Sequence, residues 1–95
     1  MIDFRKAITE RVLVLDGAMG TLLQERGLPP GGCPEEMNRV APDAVIGIHA
    51  EYAAAGADIL VANSFGGNRA KLAHYGLEGA VDELNRRAIE LARQA

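Results

Sequence analysis

The sequence has no tryptophan, one cysteine, and only two tyrosines and two phenylalanines as aromatics. A single cysteine cannot close an internal disulfide, and the lack of pairs fits a reducing compartment. Long apolar runs are also missing. The longest uninterrupted stretches hold four or five residues, against the roughly 20 that a membrane-spanning helix requires. The first residues, Met1-Ile2-Asp3-Phe4-Arg5-Lys6, contain no apolar segment before a small-residue cleavage site, so no secretory signal is expected and a cytoplasmic location is. Excess positive charge is absent as well. Ten basic against 13 acidic residues give a net charge of -3, which argues against a protein that tracks nucleic-acid phosphates. No repeat or biased segment interrupts the 95 residues, so at most one domain is expected.

What is present is the material of a packed chain. Apolar residues make up 48% and charged residues 24%, enough for a core and too apolar for disorder. Eleven glycines point to several tight turns between short regular elements. Asp3 is a candidate N-cap for a helix over residues 3–10, with Phe4, Ala7 and Ile8 on one side. Val12-Leu13-Val14-Leu15 is an unbroken apolar run, the pattern of a strand covered on both faces in a parallel sheet. Residues 18–26 read as a short helix stopped by Gly27, and residues 28–34 as an irregular loop rich in proline and glycine. Residues 42–55 form a clear helix. Pro42 suits its first turn, Val45, Ile48, Tyr52 and Ala55 share a face, and Gly56 closes it. Ala57-Asp58-Ile59-Leu60-Val61-Ala62 reads as a second strand, followed by a short helix at 68–75. Val81, Leu84, Ala88, Leu91 and Ala95 mark a long helix from about 79 onward. The order strand, helix, strand, helix predicts an α/β fold with a parallel sheet. Two strands alone leave open edges, and the chain stops inside a periodic helix, so the 95 residues are expected to be the N-terminal portion of a larger protein.

In parallel α/β folds, ligands bind at the carboxyl ends of the strands. That singles out Asp16-Gly17-Ala18-Met19-Gly20 and Ala62-Asn63-Ser64-Phe65-Gly66-Gly67. In the first, glycines permit close backbone approach and N–H groups face an anionic group. Asp16 either holds an ammonium there or only caps the next helix. In the second, Asn63 and Ser64 offer donors and acceptors and Phe65 an apolar wall, or the segment is an Asx-type turn around a core phenylalanine. Gly17 and Gly20 fit neither a dinucleotide fingerprint nor a phosphate loop. Cys33 has no second Cys or His at metal-ligand spacing. His49 and His74 read as surface or interface side chains, and Glu35-Glu36 as solvated charges. No nucleophile is paired with a base.

The run Leu15-Asp16-Gly17-Ala18-Met19-Gly20-Thr21-Leu22-Leu23-Gln24 resembles the opening motif of the homocysteine S-methyltransferase family. The stretch from His49-Ala50-Glu51-Tyr52 through Asn63-Ser64-Phe65-Gly66-Gly67-Asn68-Arg69 and Leu72-Ala73-His74-Tyr75-Gly76-Leu77 continues the likeness over nearly the whole chain. The Gly-Ala-Met-Gly-Thr form is most similar to branches whose further modules carry folate, cobalamin or a reductase.

The resemblance implies the first two βα units of a (β/α)8 TIM barrel, incomplete in this chain, and methyl transfer to the homocysteine thiolate to give methionine. It implies zinc, which lowers the thiol pKa, held by three cysteines on later barrel strands that residues 1–95 do not include, and methylcobalamin as the methyl donor. Cys33 matches no zinc-ligand position. Asp16 would face the substrate ammonium, the N–H groups of Gly17, Ala18, Met19 and Gly20 its carboxylate, while Asn63, Ser64 and Phe65 line the pocket. Ala62 and Ser64 stand where the family more often has threonine, so a hydroxyl is lost at 62 and kept at 64. Implied partners are homocysteine, the downstream barrel strands and the donor-side modules, with neither nucleic acid nor membrane. Two alternatives stay open: a thiol methyltransferase with another donor or acceptor, and a non-catalytic α/β interaction module if the chain truly ends at residue 95.

Overall fold

The computed structural model describes residues 3–95. Helix α1 spans Phe4–Glu10, α2 Gly20–Glu25, α3 Met37–Val40, α4 Pro42–Ala54, α5 Arg69–Ala73 and α6 Val81–Gln94, with 3-10 turns at Pro34–Glu36 and Glu78–Ala80. The local signals act as their chemistry dictates. Asp3 caps α1 by accepting from the Arg5 and Lys6 amides at 3.1 and 3.4 Å, which satisfies orphan N–H groups of the first turn. Pro42 opens α4, and Gly56 takes the chain out of it with φ of 109°, a conformation that costs other L-residues a steric clash. Asn68 caps α5 through the Lys71 amide at 2.8 Å.

The core lies between helices. Leu23, Leu28, Met37, Val45, Ile48 and Leu91 form one buried cluster, and Cys33, Leu72 and Leu84 a second. In α6 the buried residues are Leu84, Ala88 and Leu91, spaced i, i+4, i+7 on one stripe. That stripe serves both clusters, Leu84 in one and Leu91 in the other. Each fully buried leucine contributes about 1.5–3 kcal/mol relative to an exposed one.

The α/β expectation is overturned. Among the described residues there is no strand and no sheet. The runs 12–15 and 57–62 meet in one isolated parallel bridge, Leu15 to Ile59. The chain is therefore a helical structure and not the first two βα units of a (β/α)8 barrel.

The hydrogen bonds give the reason. Ile59 N–H donates to Val14 O at 3.2 Å and Asp16 N–H to Ile59 O at 3.0 Å, which makes the bridge. The next rung of a parallel ladder would send Val61 N–H to the Asp16 carbonyl. Instead it donates to the Asp16 carboxylate at 3.1 Å. On the other side Val14 N–H donates to the Asp58 carboxylate at 2.9 Å, and Ala57 N–H is drawn back to Tyr52 O at the end of α4, 3.0 Å away. Two aspartates and a helix terminus thus take the amides that would extend the ladder. Nor are the apolar runs covered on both faces. Val12, Val14, Leu15 and Val61 are all exposed, Val12 by 87%.

Candidate functional site

The loops at residues 16–20 and 62–67, far apart in sequence, are held against each other by separate anchors. Tyr52, on α4, donates its hydroxyl to Ala18 O at 2.6 Å. A Cβ at Gly17 would stand 3.1 Å from that hydroxyl, so the tyrosine and the loop approach closely because residue 17 has no side chain. Asn38 of α3 is fully buried. Its amide donates to Asn63 O at 2.9 Å and to Leu84 O at 3.1 Å. Asn63 returns the contact, donating to Asn38 Oδ1 and to Pro34 O, both at 2.9 Å. Asn85 of α6 donates to Gly67 O at 2.6 Å and to Val81 O at 2.7 Å. Buried amides paired in this way hold a loop in one geometry, since breaking one leaves an unsatisfied polar group.

Between the loops lies a cavity of about 570 Å³, within the size range of small-molecule sites. Its wall includes Gly17, Ala18, Met19 and Gly20 from the first loop and Asn63, Ser64 and Phe65 from the second. Asp16 is not part of that wall. It does not cap the next helix either, because Met19 is the N-cap residue of α2. Both hydrogens of the Asn63 amide are committed inside the protein, to Pro34 and Asn38. Ser64 Oγ lies 3.5 Å from Ala62 O, a long contact that leaves the hydroxyl free to turn. Phe65 is 88% exposed, so it stands at the rim and is not a core residue.

Three further wall residues lie outside the two candidate segments. Glu35, Lys71 and Tyr75 also line the cavity. Glu35 corrects the reading of Glu35-Glu36 as solvated charges: it is 6% exposed. The 3-10 turn Pro34–Glu36 turns it inward, where its carboxylate accepts from Gly66 N–H at 3.0 Å and lies 3.5 Å from Cys33 Sγ. Burial pushes the Cys33 thiol above its ordinary pKa, with the Glu36 amide opposing.

His49 is a second correction. It is fully buried, and neither ring nitrogen has a hydrogen-bond partner among the described residues. Burial lowers its pKa, and the charge of nearby Asp16 pulls the other way. His74 follows α5 and is exposed.

A catalytic zinc site needs three protein ligands, and among the described residues no three His, Cys, Asp or Glu side chains converge. Cys33 has Glu35 as its side-chain polar neighbour, and burial raises its thiol pKa, which disfavours the thiolate that a metal would need. The residues present do not fit that metal. No helix among the described residues is long and apolar enough to cross a membrane.

Comparison with known proteins bears on the same loops. Residues 13–95 match the homocysteine S-methyltransferase family. The chain is 38% identical over 100 aligned residues to methionine synthase of Mycobacterium leprae (strain TN), across 97% of its own length and 8% of that protein. It is 37% identical over 100 residues, with the same coverage, to methionine synthase of Mycobacterium tuberculosis (strain ATCC 25618 / H37Rv). The chain thus spans about 8% of the length of these curated relatives.

Proposed function

The chain belongs to the homocysteine S-methyltransferase family, and on that premise we propose that it supplies the amino-acid-binding part of an enzyme that methylates homocysteine to methionine. The observation that carries the reading is the convergence of residues 17–20 and 63–65 on one cavity of about 570 Å³. In the reaction the substrate thiol gives up its proton, the sulfur forms a bond to the methyl carbon, and the bond from that carbon to the donor breaks. This chain's share is binding and orientation, which raises the frequency of aligned encounters between sulfur and methyl group.

In this reading the backbone N–H groups of Gly17, Ala18, Met19 and Gly20 face the substrate carboxylate. Asp16 stands one residue outside the cavity wall, so the carboxylate oxygen that Val61 N–H does not engage would meet the ammonium only after bound substrate draws the side chain inward. The Ser64 hydroxyl and the Phe65 ring line the path of the side chain. Zinc and the methyl donor, methylcobalamin, belong to parts of the enzyme outside residues 1–95, and so do the modules that handle them.

The test is methionine formation by the complete enzyme that carries this segment, supplied with homocysteine and a methyl donor. Methionine production that saturates with homocysteine supports the reading. Turnover of another thiol with none of homocysteine would replace it by the alternative acceptor.

A further inference from the structure

Glu35 presents a physical problem that the motifs leave unaddressed. Its side chain belongs to a residue only 6% exposed, yet none of the ion pairs among the described residues includes it. Its partners are one neutral amide, Gly66 N–H, and one weak thiol donor, Cys33. Taking a carboxylate out of water without a cation is costly unless its remaining lone pairs are met. Each Glu35 oxygen has a single neutral or weak partner, and the residue forms part of the cavity wall together with Ser64, Gly66 and Lys71. Asp16, the acidic residue of the first motif, is off that wall. An amino acid zwitterion brings one ammonium and one carboxylate, and this wall offers one carboxylate and one ammonium, Glu35 and Lys71.

We propose that Glu35 receives the ammonium group of the amino acid substrate and so selects homocysteine over thiols that lack an amino group. The inference rests on the function proposed above and names a residue for it. Glu35 is a binding residue here, since it would touch the substrate. The competing role is local: Glu35 only pins the second loop through Gly66.

Glu35→Gln separates the two, because the glutamine side-chain oxygen can still accept from Gly66 N–H while the charge is gone. The experiment uses the complete enzyme, with homocysteine as substrate and 4-mercaptobutyrate, which is homocysteine without its amino group, as competitive inhibitor. Wild type is expected to bind homocysteine at least about tenfold more tightly than 4-mercaptobutyrate, one decade being about 1.4 kcal/mol. In Glu35→Gln the homocysteine KM should rise by about ten- to a hundredfold with the inhibition constant of 4-mercaptobutyrate unchanged. Equal weakening of both ligands, or of neither, overturns the proposal.

If Glu35→Gln does not fold, as judged by circular dichroism and melting, two measurements still decide. Wild type lacking any preference for homocysteine overturns the proposal. So does a folded Glu35→Ala variant, which has no charge left, whose preference equals that of wild type. Failure of the underlying reading looks different: wild type itself would make no methionine from homocysteine.

Discussion

Asp16 meets two demands with one carboxylate. It accepts from Val61 N–H at 3.1 Å, and from just outside the cavity wall it is the second carboxylate proposed for the substrate ammonium. Asparagine can keep the first contact and loses the second, since its side-chain oxygen still accepts but carries no charge. Asp16→Asn in the complete enzyme should therefore lower kcat/KM for homocysteine by about one to two decades, with melting temperature near wild type. Unchanged kinetics would leave Asp16 with the Val61 contact alone. An ammonium has three N–H donors, so Asp16 and Glu35 are compatible partners. His49 makes a separate prediction. Its folded pKa is depressed by burial, so the folded protein binds fewer protons than the unfolded chain once pH drops below the unfolded value of about 6.5. Stability should fall as pH is lowered through that value, until the folded pKa is reached. His49→Gln removes the ionisation, so the melting temperature should change less between pH 7.5 and 5.5 in the variant; an identical slope would clear His49. The two residues differ in how legible they were. Val45, Ile48, His49 and Tyr52 share one face of α4 by spacing alone, so burial of His49 was within reach of the pattern. Nothing in Glu35-Glu36 says which glutamate turns inward, because a 3-10 turn after a proline-glycine loop sets that direction and leaves no periodicity in the sequence.

At the scale of elements, the helices other than the four-residue α3 were legible and the strands were not. Caps at Asp3 and Asn68, proline at the start of α4 and the leucine stripe of α6 are local signals that local geometry obeys. An apolar run such as 12–15 has no local hydrogen bonds of its own and becomes a strand only if neighbouring backbone pairs with it. Here the carboxylates of Asp16 and Asp58 take the amides that such pairing would use. Asp58 is fixed twice over, by Val14 N–H and by Arg11 Nη1 at 2.9 Å, and these contacts hold its carboxyl below the usual range. Asp58→Ala strips the acceptor from Val14 without touching the bridge. Amide exchange at Val14 should then speed up by about tenfold, the worth of one net hydrogen bond, while amides inside α6 keep their rates. If Val14 exchange does not change, water serves that amide as well as Asp58 does, and the carboxylate is not what ends the ladder.

The whole molecule carries more surface than its mass requires. A compact monomer of 10.1 kDa exposes about 5,300 Å² by the usual scaling, whereas this chain exposes 6167 Å². Its Cα radius of gyration is 14.1 Å, with extents of 44 × 25 × 18 Å, against about 12.4 Å for a compact domain of 95 residues. The two quantities agree, and the excess has a location. Phe4, Ile8, Val12, Val14, Leu15, Val61 and Phe65 are all exposed. Several of them, with Leu13 and Ile59, surround an open apolar groove beside α1. None of the groove residues belongs to either buried cluster, so their side chains add little to stability in this chain. Two measurements on the 95-residue chain follow from that separation. It should enhance the fluorescence of the apolar dye ANS while giving a cooperative melt, a combination that distinguishes exposed apolar surface on a packed protein from a loosened core. Val12→Ser together with Leu15→Ser should reduce the dye signal and leave the melting temperature within the few tenths of a kcal/mol that surface substitutions ordinarily cost, up to about 0.5 kcal/mol. A variant that loses several degrees of melting temperature would show the run 12–15 to be packed, and would overturn the separation between the helical core and the apolar surface beside it.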